Sequence, residues 1–373
     1  MAASTCNPRA ALTIWAIVAI VSAGLSGCGG VPVFGTIHST FRGDAQIAAH
    51  VTAAVQGPVE VKIPTINDPG PMVAVPVRPG SAGAASPRIG VVDVDGLILN
   101  QNLTGLYSVG ENPVASFREK LEAAANDPRV RAIVVRINSP GGSVTACDIL
   151  AEELRQFRRT TGKPVVSCLM DLATSGAYYL AVGADRIVAH PTAITANIGA
   201  ILNQYNLQDA MAQLNVKSEP IKSGPLVDMG SLASPLPQGA ESLLREMVDS
   251  FRERFRERVA ERRPLMTAAD WATLNDGRVV AAPKARSLHL VDTIGYVHDA
   301  IDEAETLAGS SGSEVVLFQR KGYPTHSLYA ITPNSPIDGQ IVPLSYPGLD
   351  RAKVPTFLYL WQPDPTLLRL GGR

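Results

Sequence analysis

Two loops in the middle of this sequence carry residue types suited to acyl-transfer chemistry. The first, 138–143, contains Pro140 followed by two glycines, and the second, 171–179, contains Ser175 directly before Gly176. Each loop follows an apolar, strand-like run and precedes a helical pattern, so free backbone N–H groups and the positive end of a helix dipole point into the space beyond the strand. A serine hydroxyl beside such N–H groups is the arrangement required for a nucleophile with an oxyanion hole.

Each loop also has a purely structural interpretation. A tight strand-to-helix turn uses proline and glycine for their backbone conformations, and serine is a common helix N-cap. An isolated Ser-Gly pair favours the cap. The presence of both loops, each directly after a strand, favours the nucleophile.

The elements that must position these loops alternate between short apolar runs and helical patterns. The predicted strands are 89–94, 132–137, 164–169 and 186–189, and the predicted helices are 114–125, 144–158 and 176–184. Uninterrupted apolar strands between helices predict an α/β domain with parallel pairing. Beyond Gly239 the chain becomes helical, and the tail is Pro-rich apart from a strand-like run at 315–318 and an apolar run at 357–361.

Composition narrows the function classes. The 373 residues are 46% hydrophobic and 18% charged, with a formal net charge of -1, so wholesale disorder is excluded and no basic excess suggests nucleic acid. The Arg-rich stretch 251–263 has interleaved glutamates, which favours a solvated amphipathic helix over a basic patch. No metal-ligand spacing is present, and we expect no cofactor.

The first residues resemble an export leader. An apolar run, 10–23, follows Arg9 and leads into Leu25-Ser26-Gly27-Cys28. The run is shorter than the roughly 20 residues of a membrane span and fits a signal-peptide core. Small residues before a cysteine resemble a bacterial lipobox, so we expect Cys28 to carry lipid and to anchor the protein to a membrane of the cell envelope, facing the periplasm or exterior. An ordinary signal peptide and a short uncleaved anchor are the alternatives.

The remaining cysteines have simpler interpretations. Cys6 leaves with the leader, whereas Cys147 lies on an apolar helix face and Cys168 in an apolar strand. Two buried free thiols are expected, with a disulfide as the alternative in an exported protein. The predicted organisation is a leader at 1–27, a Pro/Gly-rich tether at 28–87, a catalytic-type domain at 88–308 and a Pro-rich extension at 309–373.

The two loops with their flanks resemble the signal peptide peptidase A (protease IV) family, which belongs to the Clp protease/crotonase superfamily. The resemblance rests on residues 136–144 and 174–181, and it covers about 88–305 in one copy. Further stretches that agree are 184–189, 221–224, 276–279 and 290–292.

The resemblance implies a superhelix of ββα units with a helical C-terminal part and Pro-rich flanks. It implies that Ser175 is a serine-protease nucleophile and that the backbone of Gly142 and Gly176 forms the oxyanion hole. It also implies a homo-oligomeric ring that cuts signal-peptide remnants or other extended apolar peptides beside the membrane.

The sequence departs from the family at the base. The family's lysine position is occupied by Val227, and the serine that helps hold that lysine is replaced by Asn197. Because valine cannot accept a proton, Lys222, five residues upstream, is the tentative base, and His190 is a weaker candidate in a turn.

Two functions follow on this fold, and a third belongs to another class. The first is a membrane-tethered serine endopeptidase, and the second is a catalytically weak or inactive relative that binds peptides. A crotonase-type acyl-CoA enzyme is disfavoured, because the predicted export takes the chain away from CoA and because Ser-Gly-Ala-Tyr-Tyr resembles the peptidases.

Overall fold

The structure is a computed structural model that describes residues 70–102, 111–323, 325, 327–331 and 357–361. The predicted leader, Cys28 and most of the predicted tether lie outside the described residues.

The described residues alternate between strands and helices along most of the chain. The strands are β1 (Met72–Arg78), β2 (Arg88–Asp95), β3 (Val130–Ser139), β4 (Gly141–Ser143), β5 (Val165–Thr174), β6 (Arg186–Ala189), β7 (Ile194–Ala196), β8 (Ile201–Leu202), β9 (Val279–Ala281), β10 (Thr293–Ile294), β11 (Glu314–Arg320) and β12 (Phe357–Leu360). The helices are α1 (Pro113–Asn126), α2 (Val144–Thr161), α3 (Gly176–Ala181), α4 (Gln208–Gln213), α5 (Ala240–Arg262), α6 (Ala268–Leu274), α7 (Ala282–Ser287) and α8 (Val297–Leu307).

The main sheet has the strand order β1-β11-β2-β3-β5-β6-β10, with β7 paired to the end of β5 and β9 paired to β7. From β11 to β10 the neighbours are parallel, whereas β1 is antiparallel to β11 and β9 is antiparallel to β7. The predicted α/β class with parallel pairing is confirmed. The sheet also takes in β1 and β11, which lie on either side of the 88–308 segment.

Both faces of this sheet are covered, which explains the uninterrupted apolar strands. Alternate residues of β2 show the pattern: Ile89 and Val91 belong to one core cluster, and Val92 and Val94 to the other. The first cluster packs against α8, and the second lies under α1, α2, α3 and α5.

The long strand β5 carries the chain towards the candidate site. Its first half pairs with β6 through Val166–Leu169, and its second half pairs with β7 through Leu172–Thr174. The pairing with β3 is irregular between these halves, since Ile137 faces Leu169 but Ser139 faces Ala173. This irregularity sets the end of β5 beside the loop that follows β3.

A second, antiparallel sheet has the order β4-β12-β8. Its central strand, β12, comes from the C-terminal part of the chain, and β4 belongs to the loop that follows β3.

The predicted elements are present with shifted ends. The Arg-rich helix begins at Ala240 and ends at Arg262, and the loop predicted at 171–179 is partly strand, because β5 continues to Thr174. Cys147 and Cys168 are free and buried, as expected. No helix in the described part of the chain is long and apolar enough to cross a membrane.

Candidate active site

Ser175 lies at the junction between β5 and α3 in an unusual backbone conformation. Its φ is 53° and its ψ is -118°. A side chain in this region is strained by about 1–3 kcal/mol, so surrounding contacts must hold it. The Ser175 amide donates to the Ala196 carbonyl at 2.7 Å, and its carbonyl accepts from the Tyr179 amide at 2.9 Å.

The Ser175 hydroxyl is buried and makes no hydrogen bond within the described residues. The residue is 0% exposed, and its Oγ has no hydrogen-bond partner among the described residues. In particular, it makes no capping bond to α3, so the interpretation of Ser175 as a side-chain N-cap is not supported. A buried hydroxyl without a partner loses its hydration, which makes this position costly unless a ligand approaches it.

The Pro-Gly-Gly loop turns its backbone in two directions. On one side, Gly141 O accepts from the Ile98 amide at 3.0 Å and the Ser143 amide donates to Ile98 O at 2.9 Å. In the extended strand β4 the Gly142 amide therefore points to the opposite side, where β12 lies. Gly141 has a φ of +101°, which disfavours any residue with a side chain.

The two glycines predicted to flank the serine are brought together. A methyl group added at Gly141 would lie 2.8 Å from the amide nitrogen of Gly176. One added at Gly142 would lie 1.9 Å from Ile98 O, and one added at Gly176 would lie 2.2 Å from Cys147 Sγ. The predicted oxyanion-hole residues, Gly142 and Gly176, thus occupy one small region in which no side chain fits.

Two tyrosines of helix α3 bind it to neighbouring segments of the chain. Tyr178 OH donates to the Leu290 carbonyl at 2.7 Å, and Tyr179 OH donates to Asp148 Oδ1 at 2.6 Å. Burial raises the pKa of Tyr179 to about 12, which keeps its hydroxyl a donor at ordinary pH. These bonds hold α3 in place and with it Gly176, the first residue of the helix.

Arginines of α5 bind the C-terminal end of α3, a role that the sequence pattern did not indicate. Arg258 donates to Tyr179 O and Ala151 O, both at 3.2 Å, and Arg262 donates to Val182 O at 3.1 Å and Ala184 O at 2.7 Å. Unpaired carbonyls at a helix end attract cations. The interleaved charges did indicate an amphipathic helix, but not that two arginines lie half-buried against the helix that follows Ser175.

Strand β12 lies directly against the candidate site, and the sequence pattern did not indicate this position. It is antiparallel to β4, with Tyr359 opposite Gly142 and Leu360 opposite Gly141. The available signal was the apolar run 357–361 within a Pro-rich tail.

The residues predicted for proton transfer are bonded to partners other than Ser175. Lys222 Nζ donates to Asp228 Oδ2 at 2.8 Å on an exposed loop, and this bond lowers the pKa of Asp228. Val227 is 68% exposed. His190 Nδ1 is 2.8 Å from Thr192 Oγ1, in the turn where it was expected. None of these side chains is bonded to Ser175 Oγ in the part of the chain that the structure describes.

Asn197 has a structural role. Its φ is 58°, in the left-handed region that asparagine tolerates better than most residues. The backbone amide of Asn197 donates to Arg278 O at 3.0 Å, and its side-chain Nδ2 donates to Gly277 O. Asn197 therefore ties the turn after β7 to the segment that leads into β9.

No cluster of three or more metal-binding side chains occurs within the described ranges. In the described part of the chain, the unpaired hydroxyl of Ser175 directly precedes Gly176, whose amide lies beside Gly141, and the buried thiol of Cys147 lies beside Gly176 as well. Such an arrangement suits a negative oxygen that develops beside a nucleophile.

Residues 157–311 match Peptidase family S49. Among curated relatives, the chain is similar to Protease 4 of Salmonella typhi, with 31% identity over 59% of this chain and 34% of that protein. It is also similar to Protease 4 of Haemophilus influenzae, with 29% identity over 59% and 35%, and to the chloroplastic serine protease SPPA of Arabidopsis thaliana, with 28% identity over 56% and 31%. The match thus spans about a third of the length of these relatives.

One solved structure, the 1510-N membrane-bound stomatin-specific protease in a mutant form, shares 13% identity and a TM-score of 0.40 over 65% of this chain and 100% of that one.

The mixed sheet and the family match define the class as a peptidase-type α/β protein with the ClpP/crotonase-like fold. The chain carries a domain of peptidase family S49, and the predicted resemblance to the signal peptide peptidase A family is confirmed.

Proposed function

We propose that this protein is a serine endopeptidase that acts on extended, largely apolar peptides such as signal-peptide remnants. One observation carries the proposal: the Ser175 hydroxyl is buried, has no partner in the described chain, and is held on a strained turn beside Gly142 and Gly176. Strain at such a position is common where a side chain must be presented for chemistry.

The reaction is acyl transfer through a covalent intermediate. Ser175 Oγ forms a bond with the substrate carbonyl carbon, and the carbonyl oxygen takes the negative charge while the amides of Gly142 and Gly176 donate to it. The hydroxyl proton passes through a base to the leaving amine as the C–N bond breaks. Water then releases the acyl group and restores the serine.

No side chain of the described residues is bonded to Ser175 Oγ as a base. Lys222 is the candidate, but its ammonium is paired with Asp228 on an exposed loop. An ammonium has no lone pair, and a lysine serves as a base only after burial depresses its pKa. This observation favours the second candidate function, a catalytically weak or inactive relative that binds peptides on the same fold.

We also propose that Cys28 carries a lipid anchor, that the leader ends at residue 27, and that the part of the predicted 28–87 tether that precedes β1 links the folded domain to a membrane of the cell envelope. Several acyl chains on one cysteine would hold the protein stably. The variant Cys28→Ser should lose acyl labelling and leave the membrane fraction. Retention of this variant in washed membranes would favour an uncleaved apolar anchor instead.

We further propose that the protein forms a homo-oligomeric ring, as the resemblance to the signal peptide peptidase A family implies. Sedimentation should give a mass of several chains at micromolar concentration. A mass of one chain would contradict it.

The test of the catalytic proposal is labelling with a fluorophosphonate probe, which reacts with activated serines. We expect slow labelling of the wild-type chain and none of Ser175→Ala. The matched control is Ser223→Ala, which removes an exposed serine beside Lys222 and should label as wild type. Absence of labelling at high probe concentration, in a protein that still binds peptide, would favour the peptide-binding function.

A further inference from the structure

The side chain of Asn138 bridges the irregular pairing between β3 and β5. There β3 advances from residue 137 to 139 while β5 advances from 169 to 173, so β5 has two residues in excess. A bulge of this kind leaves backbone groups of the longer strand without ladder partners. The Leu172 amide, which lies in the bulge, donates instead to Asn138 Oδ1 at 3.2 Å. The course of β5 towards Ser175 therefore depends on one side chain.

Asp95 determines how that side chain is oriented. It lies opposite Asn138 in the register of β2 and β3, and the two side chains are hydrogen-bonded. A carboxylate only accepts hydrogen bonds, so Asn138 must donate to it through Nδ2. Because Nδ2 faces Asp95, Oδ1 is left to face the Leu172 amide. An Asn138 amide turned the other way would set two acceptors together at Asp95 and two donors together at Leu172.

The backbone that follows Asp95 holds the other loop of the candidate site. The Gly96 amide donates to Asn138 O at 3.0 Å, and Ile98 is bonded to both sides of the Pro-Gly-Gly loop. From Asp95, one connection thus leads along the backbone to the 138–143 loop. The other leads through the Asn138 side chain to the strand that ends at Ser175.

Charged neighbours influence the ionisation of Asp95. The titratable or charged groups that line the cleft with it are Asp93, Arg136, Asp171 and Tyr329, and Lys120 faces it from α1. Burial raises the pKa of Asp95 above the usual range of an aspartate, and the charge of Asp93 raises it further. The hydrogen bond from Asn138 and the charges of Arg136 and Lys120 act in the opposite direction. A carboxylate accepts a stronger bond than the protonated acid, so the link to Asn138 tightens when Asp95 loses its proton.

We propose that Asp95 is a positioning residue of the candidate site, which acts through Asn138 to hold the 138–143 loop and the end of β5 in register. The assignment deepens the proposed function and rests on it for the effect on Ser175. The coupling of Asp95 to the bulge of β5 stands on the contacts of Asn138 alone.

Hydrogen exchange at residue 172 measures that coupling directly. In the full chain, mass spectrometry of fragments that isolate this amide gives its exchange rate relative to that of Val134, a buried residue of β3. Asp95→Ala should raise this ratio at least about tenfold, because the Asn138 amide loses its acceptor. Asp95→Asn keeps the shape and an acceptor oxygen and should raise it by about threefold or less. The matched control, Asp302→Asn, changes an exposed aspartate of α8 and should leave the ratio as in wild type. An unchanged ratio in Asp95→Ala would overturn the proposal.

A double-mutant cycle tests whether Asp95 acts through Asn138. Asn138→Ala alone should raise the exchange ratio at least about tenfold, because the Leu172 amide loses its acceptor. Adding Asp95→Ala to this variant should change the ratio by less than about twofold, because the link is already broken. Effects of the two substitutions that multiply would show independent roles and would contradict the proposal.

The pH profile of labelling by the fluorophosphonate probe tests the effect on Ser175. The rate should rise with pH through the pKa of Asp95, because the ionised carboxylate holds Asn138 more firmly. Asp95→Asn should lack this rise and should label about threefold more slowly than wild type at neutral pH. Asp302→Asn should retain the rise. A residue with a merely structural role would change the amount of folded protein and leave the shape of the profile as it is.

The stability of Asp95→Asn separates positioning from folding without a disruptive variant. Because the pKa of Asp95 is raised in the folded state, its ionisation costs stability as pH rises from the usual aspartate range through the raised pKa. Asparagine carries no such cost, so Asp95→Asn should unfold at an equal or higher urea concentration than wild type at neutral pH while it labels more slowly. A variant that is both less stable and slower would assign Asp95 to folding alone and reject the positioning role.

Exchange and labelling together distinguish this inference from the proposed function. If residue 172 responds to Asp95 but no variant and no wild-type chain is labelled, the coupling stands and the endopeptidase is rejected. If Ser175 is labelled at a rate and with a pH profile that Asp95→Asn leaves unchanged, the endopeptidase stands and the positioning role is rejected.

Discussion

The two halves of the candidate site differ in how they are built. The nucleophile half, formed by the ends of β3 and β5, is buried, and its geometry is fixed by backbone hydrogen bonds around Ser175 and the two glycines of the 138–143 loop. The half predicted to hold the base contains Lys222 and Val227 on exposed loops, with only the short helices α4 and the start of α5 nearby in sequence.

The difference shows what each half requires. A backbone amide donates wherever the chain holds it, so an oxyanion hole needs geometry alone. A lysine base needs a dry environment as well, because its amine must lose a proton. This chain provides the geometry and leaves the candidate lysine in an exposed ion pair.

The largest effect is expected from loss of the nucleophile. Ser175→Ala should lower kcat/KM for an extended apolar peptide by about 10²-fold or more, because the nucleophile is lost. Lys222→Ala should change it by less than about threefold, because a surface ion pair contributes little. A fast wild-type enzyme silenced by Lys222→Ala would instead identify Lys222 as the base.

Gly141 provides the next largest effect. Gly141→Ala should lower the free energy of unfolding by about 3 kcal/mol, because alanine is strained at a φ of +101° and its methyl group would overlap Tyr359 O. The matched control is Gly162→Ala, at a φ of +66° with no atom within 4 Å of the added methyl group, which should cost about 1 kcal/mol. Equal losses in urea unfolding would show that the close approach of β12 adds nothing.

A substitution that relieves the backbone strain at Ser175 should raise the free energy of unfolding, whereas Gly141→Ala lowers it. Ser175→Gly should raise the free energy of unfolding by about 1 kcal/mol, because glycine accepts the backbone conformation and removes an unpaired buried hydroxyl, although it adds unfolded-state entropy. Ser223→Gly, on the exposed loop, should be neutral or slightly destabilising. A loss of stability in Ser175→Gly would mean that the hydroxyl is bonded in solution.

The smallest effect concerns the exposed half. Val227→Lys alone should change stability by less than about 0.5 kcal/mol, because the side chain is already in solvent. With Asn197→Ser added, we expect a loss of about 1 kcal/mol, because the bond to Gly277 O and the tolerated left-handed conformation are lost. A large rise in hydrolysis by this pair, removed by Ser175→Ala, would show that the segment can bury an amine in solution.

The sequence allowed prediction of the parts that depend on local patterns. Apolar runs and helical spacing predicted β2, β3, β6 and the start of β5 to within a few residues, whereas β5 continues to Thr174 through part of the predicted loop. The paired glycines indicated a turn that side chains would forbid, and Gly141 has a positive φ. Long-range pairing was not predictable: nothing local states that β12 lies opposite Gly142 or that β11 lies beside β2. The roles of Arg258 and Arg262 were missed because the same charge pattern also suits a solvated helix.

On one side of β2, the main sheet is completed by strands that are far from β2 along the chain. Strand β2 finds its neighbour β11 at Glu314, 226 residues after Arg88, and β1 reaches the sheet only through β11. Contacts of such long sequence separation form slowly, since a large loop must close first. While the chain is being made, the edge of β2 remains open, and an apolar open edge pairs readily with other chains. A chain truncated before residue 320 would therefore be prone to aggregate, because the edge of β2 would stay exposed. Synthesis of the C-terminal part is what protects the first strands from pairing with other chains.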